Sequence, residues 1–304
     1  MKKRELIIKG LLALSLVLLA FITTGCKSKT SKETKAITVG SKHFTEQEIL
    51  GEIMSILIEE NTDIKVLRKF NLGGTMVCFN ALKTGDIDLY AEYTGTGLVN
   101  ILKMKAVKDP KKTYQTVKDT FDRRFNLIWL KPFGFNNTYT LTMRKTDANS
   151  LGIKTISDLA LYKDRLLPGF DAEFMERPDG YPGLKRHYGF EFKKKPRQMD
   201  PGLMYKALKE KGVDVIDGFA TDGRIPAFDL VILKDDKVFF PPYYAAPLIR
   251  TETLNRYPEL EDILNRLGGL INDATMQDLN YQVDKEERRA YTVAREFLLT
   301  RGLI

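Results

Sequence analysis

Few residues of this chain are suited to acid–base or metal chemistry. His43 and His187 are its two histidines, and Cys26 and Cys78 its two cysteines. A four-ligand Cys/His zinc site would have to use all four, so it is not expected. No G-x-S-x-G, H-E-x-x-H or S-x-x-K motif stands in the sequence. Asp and Glu could substitute in proton transfer, but no motif singles any of them out. Aromatic side chains are abundant instead, with 13 Tyr, 17 Phe and one Trp, and the default expectation for any one of them is a place in the core. Arg177 lies in ERPDG, where an ion pair with Glu176 or Asp179 is its plain reading.

The elements that position these residues follow from periodicity. At 304 residues the chain is long enough for two domains, or for one domain in two halves. Hydrophobic residues at 43% and charged residues at 29% are ordinary for a globular protein. Ala36 to Val39 reads as a strand entering a Gly turn. Thr45 and Glu48 read as a capping box, and Ile49, Leu50, Ile53, Ile56 and Leu57 recur at helical spacing. A strand over Ile64–Phe70 follows. A helix then opens at Gly73-Gly74-Thr75 and runs to about Thr84, and an alternating strand covers 86–93. This β-α-β-α-β order predicts an α/β sandwich with a mostly parallel sheet. A second round begins near Thr138, with a strand TYTLTMRK and a helix TISDLALYKDR capped by Ser157. Two more strands, VDVIDGFA and FDLVILKDD, complete it. From Thr251 onward the sequence reads as helical. No internal repeat is evident.

The N-terminus reads as a processing segment. Lys2, Lys3, Arg4 and Lys9 form a basic region, and Leu11 to Ile22 is apolar, too short to span a bilayer comfortably. Thr23-Thr24-Gly25-Cys26 follows and resembles the lipobox of bacterial lipoproteins, with Thr23 where that pattern prefers Leu. Residues 1–25 are thus expected to be a cleaved signal peptide, Cys26 an acylated residue, and 26–35 a flexible polar tether. Cleavage removes four cations and one anion and lowers the net charge from +8 to +5. With no long Lys/Arg run, no nucleic-acid partner is expected. Cys78, left without a partner, reads as a small buried hydrophobe.

Several segments together resemble the substrate-binding lipoproteins of ABC importers for quaternary-ammonium osmoprotectants: glycine betaine, carnitine and choline. They are GSKHFTEQEILGE (40–52), LGGTMVCFNALKTGDIDLYAEYTGTGL (72–98), FMERPDGYPGL (174–184), FATDGRIPAFDL (219–230) and FFPPYYAAPLIR (239–250). The resemblance implies a type II periplasmic-binding-protein fold, two α/β lobes with the ligand in the cleft. Lobe one would comprise 36–135 and 241–304, and lobe two 136–240. It also implies an extracytoplasmic, lipid-anchored monomer that works with a permease and an ATPase, is not an enzyme, and needs no cofactor.

A trimethylammonium group is cationic but donates no N–H hydrogen bond. Aromatic faces attract it at roughly 0.5–2 kcal/mol each, so several walls approach the roughly 8 kcal/mol of a micromolar site. The resemblance carries this cage onto Tyr93, Tyr139, Phe219 and Tyr243, with Phe219 where many relatives carry Tyr. For the ligand's polar end it implies Lys42, Gln47, Thr96 and Arg177, with solvation as the alternative for Lys42. Thr75 and Met76, at a helix start that favours negative charge, are implied to tune ligand choice, the flexible Met76 suiting a loosely selective pocket. The competing reading is the same fold with another ligand, an amino acid or a polyamine. A polyamine site would want carboxylates in the cleft, and none of the implied positions is acidic.

Overall fold

The computed structural model describes residues 35–304. The expected signal peptide, Cys26 and the expected tether up to residue 34 lie outside the described residues. The chain runs β1 (Ala36–Gly40), α1 (Thr45–Asn61), β2 (Lys65–Lys69), α2 (Thr75–Thr84) and β3 (Leu89–Tyr93). A π-helical turn, Thr96–Ile101, leads to α3 (Pro110–Phe125) and β4 (Leu127–Trp129). Next come β5 (Tyr139–Arg144), α4 (Lys145–Leu151), a 3-10 turn over Ser157–Tyr162, β6 (Pro168–Phe170), α5 (Ala172–Glu176) and α6 (Tyr181–Tyr188). They are followed by β7 (Arg197–Gln198), α7 (Pro201–Lys209), β8 (Val215–Phe219), α8 (Arg224–Ala227) and β9 (Leu230–Ile232). The chain ends with β10 (Ala245–Arg250), α9 (Thr251–Arg256), α10 (Glu259–Asn265), α11 (Asp273–Asp284) and α12 (Ala290–Thr300).

These strands form two five-stranded sheets, in the orders β2-β1-β3-β10-β4 and β7-β6-β8-β5-β9. In each sheet four strands run in one direction, as the β-α-β order predicts, and one strand runs against them. In the first, β1 runs parallel to β2 and β3, while β10 runs antiparallel to β3 and β4. In the second, β6 runs parallel to β7 and β8, while β5 runs antiparallel to β8 and β9. The antiparallel members, β5 and β10, are the strands that follow the two passages of the chain between the sheets. They arrive without the helical crossover that enforces parallel pairing. The two passages run side by side, with Asn136 bridged to Tyr244 and Asn137 N–H donating to Tyr243 O at 3.2 Å.

Helix α1 is buried nearly all round: Ile49, Leu50, Ile53, Met54, Ile56, Leu57 and Ile58 are buried, and so are Glu46, Gln47, Glu52 and Ser55. Such a helix belongs inside a core. The C-terminal helices α10, α11 and α12 pack against it, which explains the helical tail of the sequence. The capping box is not formed. Phe44 holds the N-cap position without a side-chain cap, and the Thr45 hydroxyl donates instead to Asp284 Oδ1 at 2.6 Å. A tertiary acceptor has outcompeted the local one. Ser157 likewise caps nothing. Asp158 Oδ2 accepts from Lys154 N–H at 2.9 Å and Thr155 N–H at 2.8 Å, and the segment tightens into a 3-10 turn. The helix expected over 251–267 breaks at Tyr257-Pro258, where proline withholds an N–H from the ladder. Cys78 is fully buried, and burial pushes its thiol up to about 12, so it stays protonated and inert.

Candidate functional site

The four aromatic positions singled out from the sequence line one cavity of about 50 Å³. That volume holds a few water-sized groups, so the site suits a small ligand. Tyr93 ends β3 and Phe219 ends β8, each a parallel-paired strand whose C-terminal end opens on the crevice. Tyr139 begins β5 and pairs directly with Phe219 across the ladder, which fixes their ring centroids 5.5 Å apart. Tyr243 sits on the return passage and meets the Tyr139 ring edge-on, at 5.7 Å and 87°. Gly95 makes room for it, because a Cβ there would come within 2.7 Å of the Tyr243 ring and of Pro242 O. Tyr93, Tyr139 and Tyr243 are buried, and Phe219 is half-buried.

Hydrogen bonds behind the cavity hold two of these rings. Tyr93 OH donates to Glu46 Oε1 at 2.7 Å and accepts from Gln47 Nε2 at 3.1 Å. Tyr243 OH donates to Asp179 Oδ2 at 2.6 Å. Burial, reinforced by the nearby carboxylates Glu46, Asp171 and Asp179 in turn, raises the pKa of Tyr93, Tyr139 and Tyr243 well above the usual phenol value. They present neutral hydroxyls. Glu46 also ties the first passage to the end of β8 and to α11, accepting from Asn137 Nδ2 at 2.8 Å, from Thr221 Oγ1 and from Asn280 Nδ2 at 3.1 Å. Its own pKa is raised by burial, against the pull of these donors.

The residues implied for the polar end divide. Lys42, Thr75, Thr96 and Arg177 line the cavity. Lys42 is not solvated: it is 5% exposed, and its Nζ donates to Glu92 Oε1 at 2.6 Å and Thr75 Oγ1 at 3.1 Å. Arg177 is 4% exposed and forked on Asp179, with Nε–Oδ1 at 2.9 Å and Nη2–Oδ2 at 2.7 Å. This is the ion pair anticipated from ERPDG, but buried. The guanidinium also lies 5.3 Å from the Tyr139 ring centroid and bonds Thr96 Oγ1 at 3.2 Å. Burial works against its charge, yet Tyr139 and the Asp179 carboxylate more than offset this and raise its pKa.

Gln47 and Met76 do not line the cavity. Gln47 is fully buried behind it, its Nε2 shared between Tyr93 OH and Ala91 O. Met76 is 43% exposed, because Thr75 takes the inward position at the start of α2 and the next residue turns about 100° away. The cavity also holds residues that sequence reasoning missed: His43, Phe44, Asn137, Asp171, Glu173 and Pro201. Phe44 is a fifth aromatic wall, stacked on Phe219 at 5.2 Å and on Tyr93 at 6.3 Å. The signal for it was its place before α1 within a segment already singled out. Asp171 and Glu173 correct the expectation of a site free of acid. Asp171 Oδ1 caps α5, accepting from Glu173 N–H at 2.6 Å and Phe174 N–H at 3.1 Å, while Oδ2 has no hydrogen-bond partner. Burial and the Asp171 charge push the neighbouring Asp217 well up, which favours a single negative charge on the pair. No group of three His, Cys, Asp or Glu side chains fit to hold a metal ion occurs among the described residues.

Comparison with known proteins places this chain in a family. Residues 35–299 match the family described as the substrate binding domain of ABC-type glycine betaine transport systems. The chain is 43% identical over 271 residues to a carnitine transport binding protein, OpuCC, of Listeria monocytogenes, covering 88% of this chain and 87% of that one. It is 44% identical over 272 residues to an ergothioneine transport permease/ergothioneine binding protein, EgtU, of Helicobacter pylori. There it spans 89% of this chain but 48% of the relative, about half of that longer protein. Among solved structures, one described as a glycine betaine/carnitine/choline ABC transporter superposes with a TM-score of 0.73 at 38% identity, covering 89% of this chain and 99% of that one. The two-lobed α/β fold expected from the resemblance is the fold observed. With nearly every described residue inside the match and relatives above 40% identity, the chain belongs to the substrate-binding domains of ABC-type glycine betaine transport systems.

Proposed function

We propose that this chain captures a small quaternary-ammonium solute, such as choline, glycine betaine or carnitine, outside the cell and delivers it to the permease and ATPase of an ABC importer. One observation carries the reading. Tyr93, Tyr139, Phe219 and Tyr243, separated by up to 150 positions in sequence, line a single small cavity between two sheets. Aromatic faces suit a trimethylammonium group, which donates no N–H hydrogen bond, and Lys42, Thr75 and Thr96 supply polar groups for its other end. Lobe one is taken as 36–135 with 241–304, and lobe two as 136–240, so both contribute walls and ligand favours the closed arrangement. The protein works as a monomer and performs no catalysis.

A thermal-shift screen tests the reading. Choline, glycine betaine, carnitine and ergothioneine, all trimethylammonium compounds, are compared with spermidine and amino acids. A ligand at 100 times its Kd adds about 2.7 kcal/mol of stability. Stabilisation by spermidine or an amino acid alone would assign the cavity to another ligand class. The anchor is a separate proposal, resting on the apolar segment and Gly25-Cys26. No helix among the described residues is long and apolar enough to cross a membrane. A Cys26→Ser variant is expected to leave the membrane fraction. If it sediments with membranes and carries the parent's lipid label, there is no acyl anchor at Cys26.

A further inference from the structure

The polar end of the cavity already holds a carboxylate, and it is the protein's own. Glu173, in α5, reaches across the cleft to the first turn of α2. Its Oε1 accepts from Thr75 N–H and its Oε2 from Thr75 Oγ1 at 2.9 Å. Lys42 Nζ donates to the same hydroxyl at 3.1 Å, and Arg177 Nη1 stands 3.4 Å from Glu173 Oε2. The approach is tight: a Cβ at Gly74 would meet Glu173 Oε1, and the carboxylate would have to shift to admit it. Burial pushes the Glu173 carboxyl up, but Lys42, Arg177 and the Thr75 donors reverse this and hold it below the usual carboxylate value. It is therefore charged, and it sits among the donors that a ligand carboxylate would need.

Three carboxylates neutralise Lys42 and Arg177, and they are not equivalent. Glu92, on Lys42, and Asp179, forked on Arg177, have side chains 0% and 2% exposed and are locked beneath the cavity. The Glu173 side chain is 28% exposed, at the cavity mouth. It alone of the three has a path to solvent by side-chain rotation, with its backbone held by the Asp171 cap. Asp171, 5% exposed, remains in the cavity to face a ligand's cationic end.

We propose that Glu173 is a built-in occupant of the anionic subsite, displaced by a ligand carboxylate but retained as the acceptor for a ligand hydroxyl, and that it thereby sets selectivity between the two kinds of quaternary amine. The proposal rests on the quaternary-amine reading of the cavity. A zwitterion such as glycine betaine or carnitine must exchange its carboxylate for that of Glu173 and gains only the difference. Choline, whose hydroxyl needs an acceptor, leaves Glu173 in place and donates to it.

The test is titration calorimetry of the parent and Glu173→Gln with choline, glycine betaine and carnitine, each protein's thermal unfolding being recorded alongside. A neutral amide holds the Thr75 donors less strongly than a carboxylate. Betaine and carnitine are expected to tighten by about fivefold to tenfold and choline to weaken by a similar factor. Glu173→Asp, a carboxylate too short to span to Thr75, is expected to tighten betaine and carnitine likewise, and decides the matter if the Gln variant fails to fold. A shift of all three ligands in the same direction, or no shift, overturns the proposal and makes Glu173 a simple tie between lobes. A parent that binds none of the three overturns the quaternary-amine reading itself, and the proposal with it.

Discussion

Truncating any one of Tyr93, Tyr139 or Tyr243 to Ala is expected to weaken quaternary-amine binding by up to about thirtyfold, the equivalent of about 2 kcal/mol for one desolvated cation–π wall. The expectation follows from burial. These rings are 5%, 6% and 2% exposed, so each removal opens the cavity to water as well as removing a π-face. The hydroxyls act elsewhere. Tyr93→Phe keeps the wall but removes the donor to the buried Glu46, so it should cost stability, about 1–3 kcal/mol, more than affinity. Phe219→Tyr is expected to be tolerated, because Phe219 is only half-buried. Calorimetry on each variant checks this. Affinities within about twofold of the parent for all three Ala variants would rule out an aromatic cage.

Replacing Arg177 with Ala is expected to destabilise the protein by about 3–5 kcal/mol, the usual cost of stranding a buried charge, here Asp179. The sequence resemblance alone assigns Arg177 to a ligand carboxylate, which would make the loss fall on betaine and carnitine and spare choline. The geometry predicts otherwise. With its fork spent on Asp179 and its plane against Tyr139, Arg177 supports the cage walls, so all ligands should weaken together. Tyr243, whose hydroxyl also bonds Asp179, would lose its orientation at the same time. Denaturant unfolding and calorimetry with the three ligands check both parts. Unchanged stability with a selective loss of betaine would return Arg177 to the role of a carboxylate clamp.

What was legible in the sequence, and what was not, divides along physical lines. Local periodicity placed α1, α2, β5 and β8, because each has one residue spacing and one buried face or core to satisfy. It failed at caps and breaks. Thr45 found a partner 239 positions away in Asp284, a choice no local pattern encodes. The one reversed strand of the first sheet went unread for the same reason, since β10 joins β3 and β4 only after the chain has visited the other sheet. The four aromatics proposed as a cage were reached through the resemblance, not through spacing, and they line one cavity. Gln47 and Met76 lie just off the cavity, because a motif marks a stretch of backbone and not which of its side chains points inward. Phe44 and Glu173 went unseen, since a stacked Phe looks like any core Phe and a cleft carboxylate like any surface Glu.

The central claim is that the cavity holds a cation by its aromatic walls. The most direct measurement compares ligands differing in one atom: choline against 3,3-dimethylbutanol, and glycine betaine against 3,3-dimethylbutanoate, in which carbon replaces the quaternary nitrogen. Shape and apolar area are nearly conserved, and the positive charge is lost. Each of three or four walls contributes roughly 0.5–2 kcal/mol only while that charge is present. Titration calorimetry on the parent protein is expected to give micromolar binding of at least one quaternary amine and a loss of at least about tenfold for its carbon counterpart. Equal affinity for nitrogen and carbon forms, or no binding of either pair, would contradict the account.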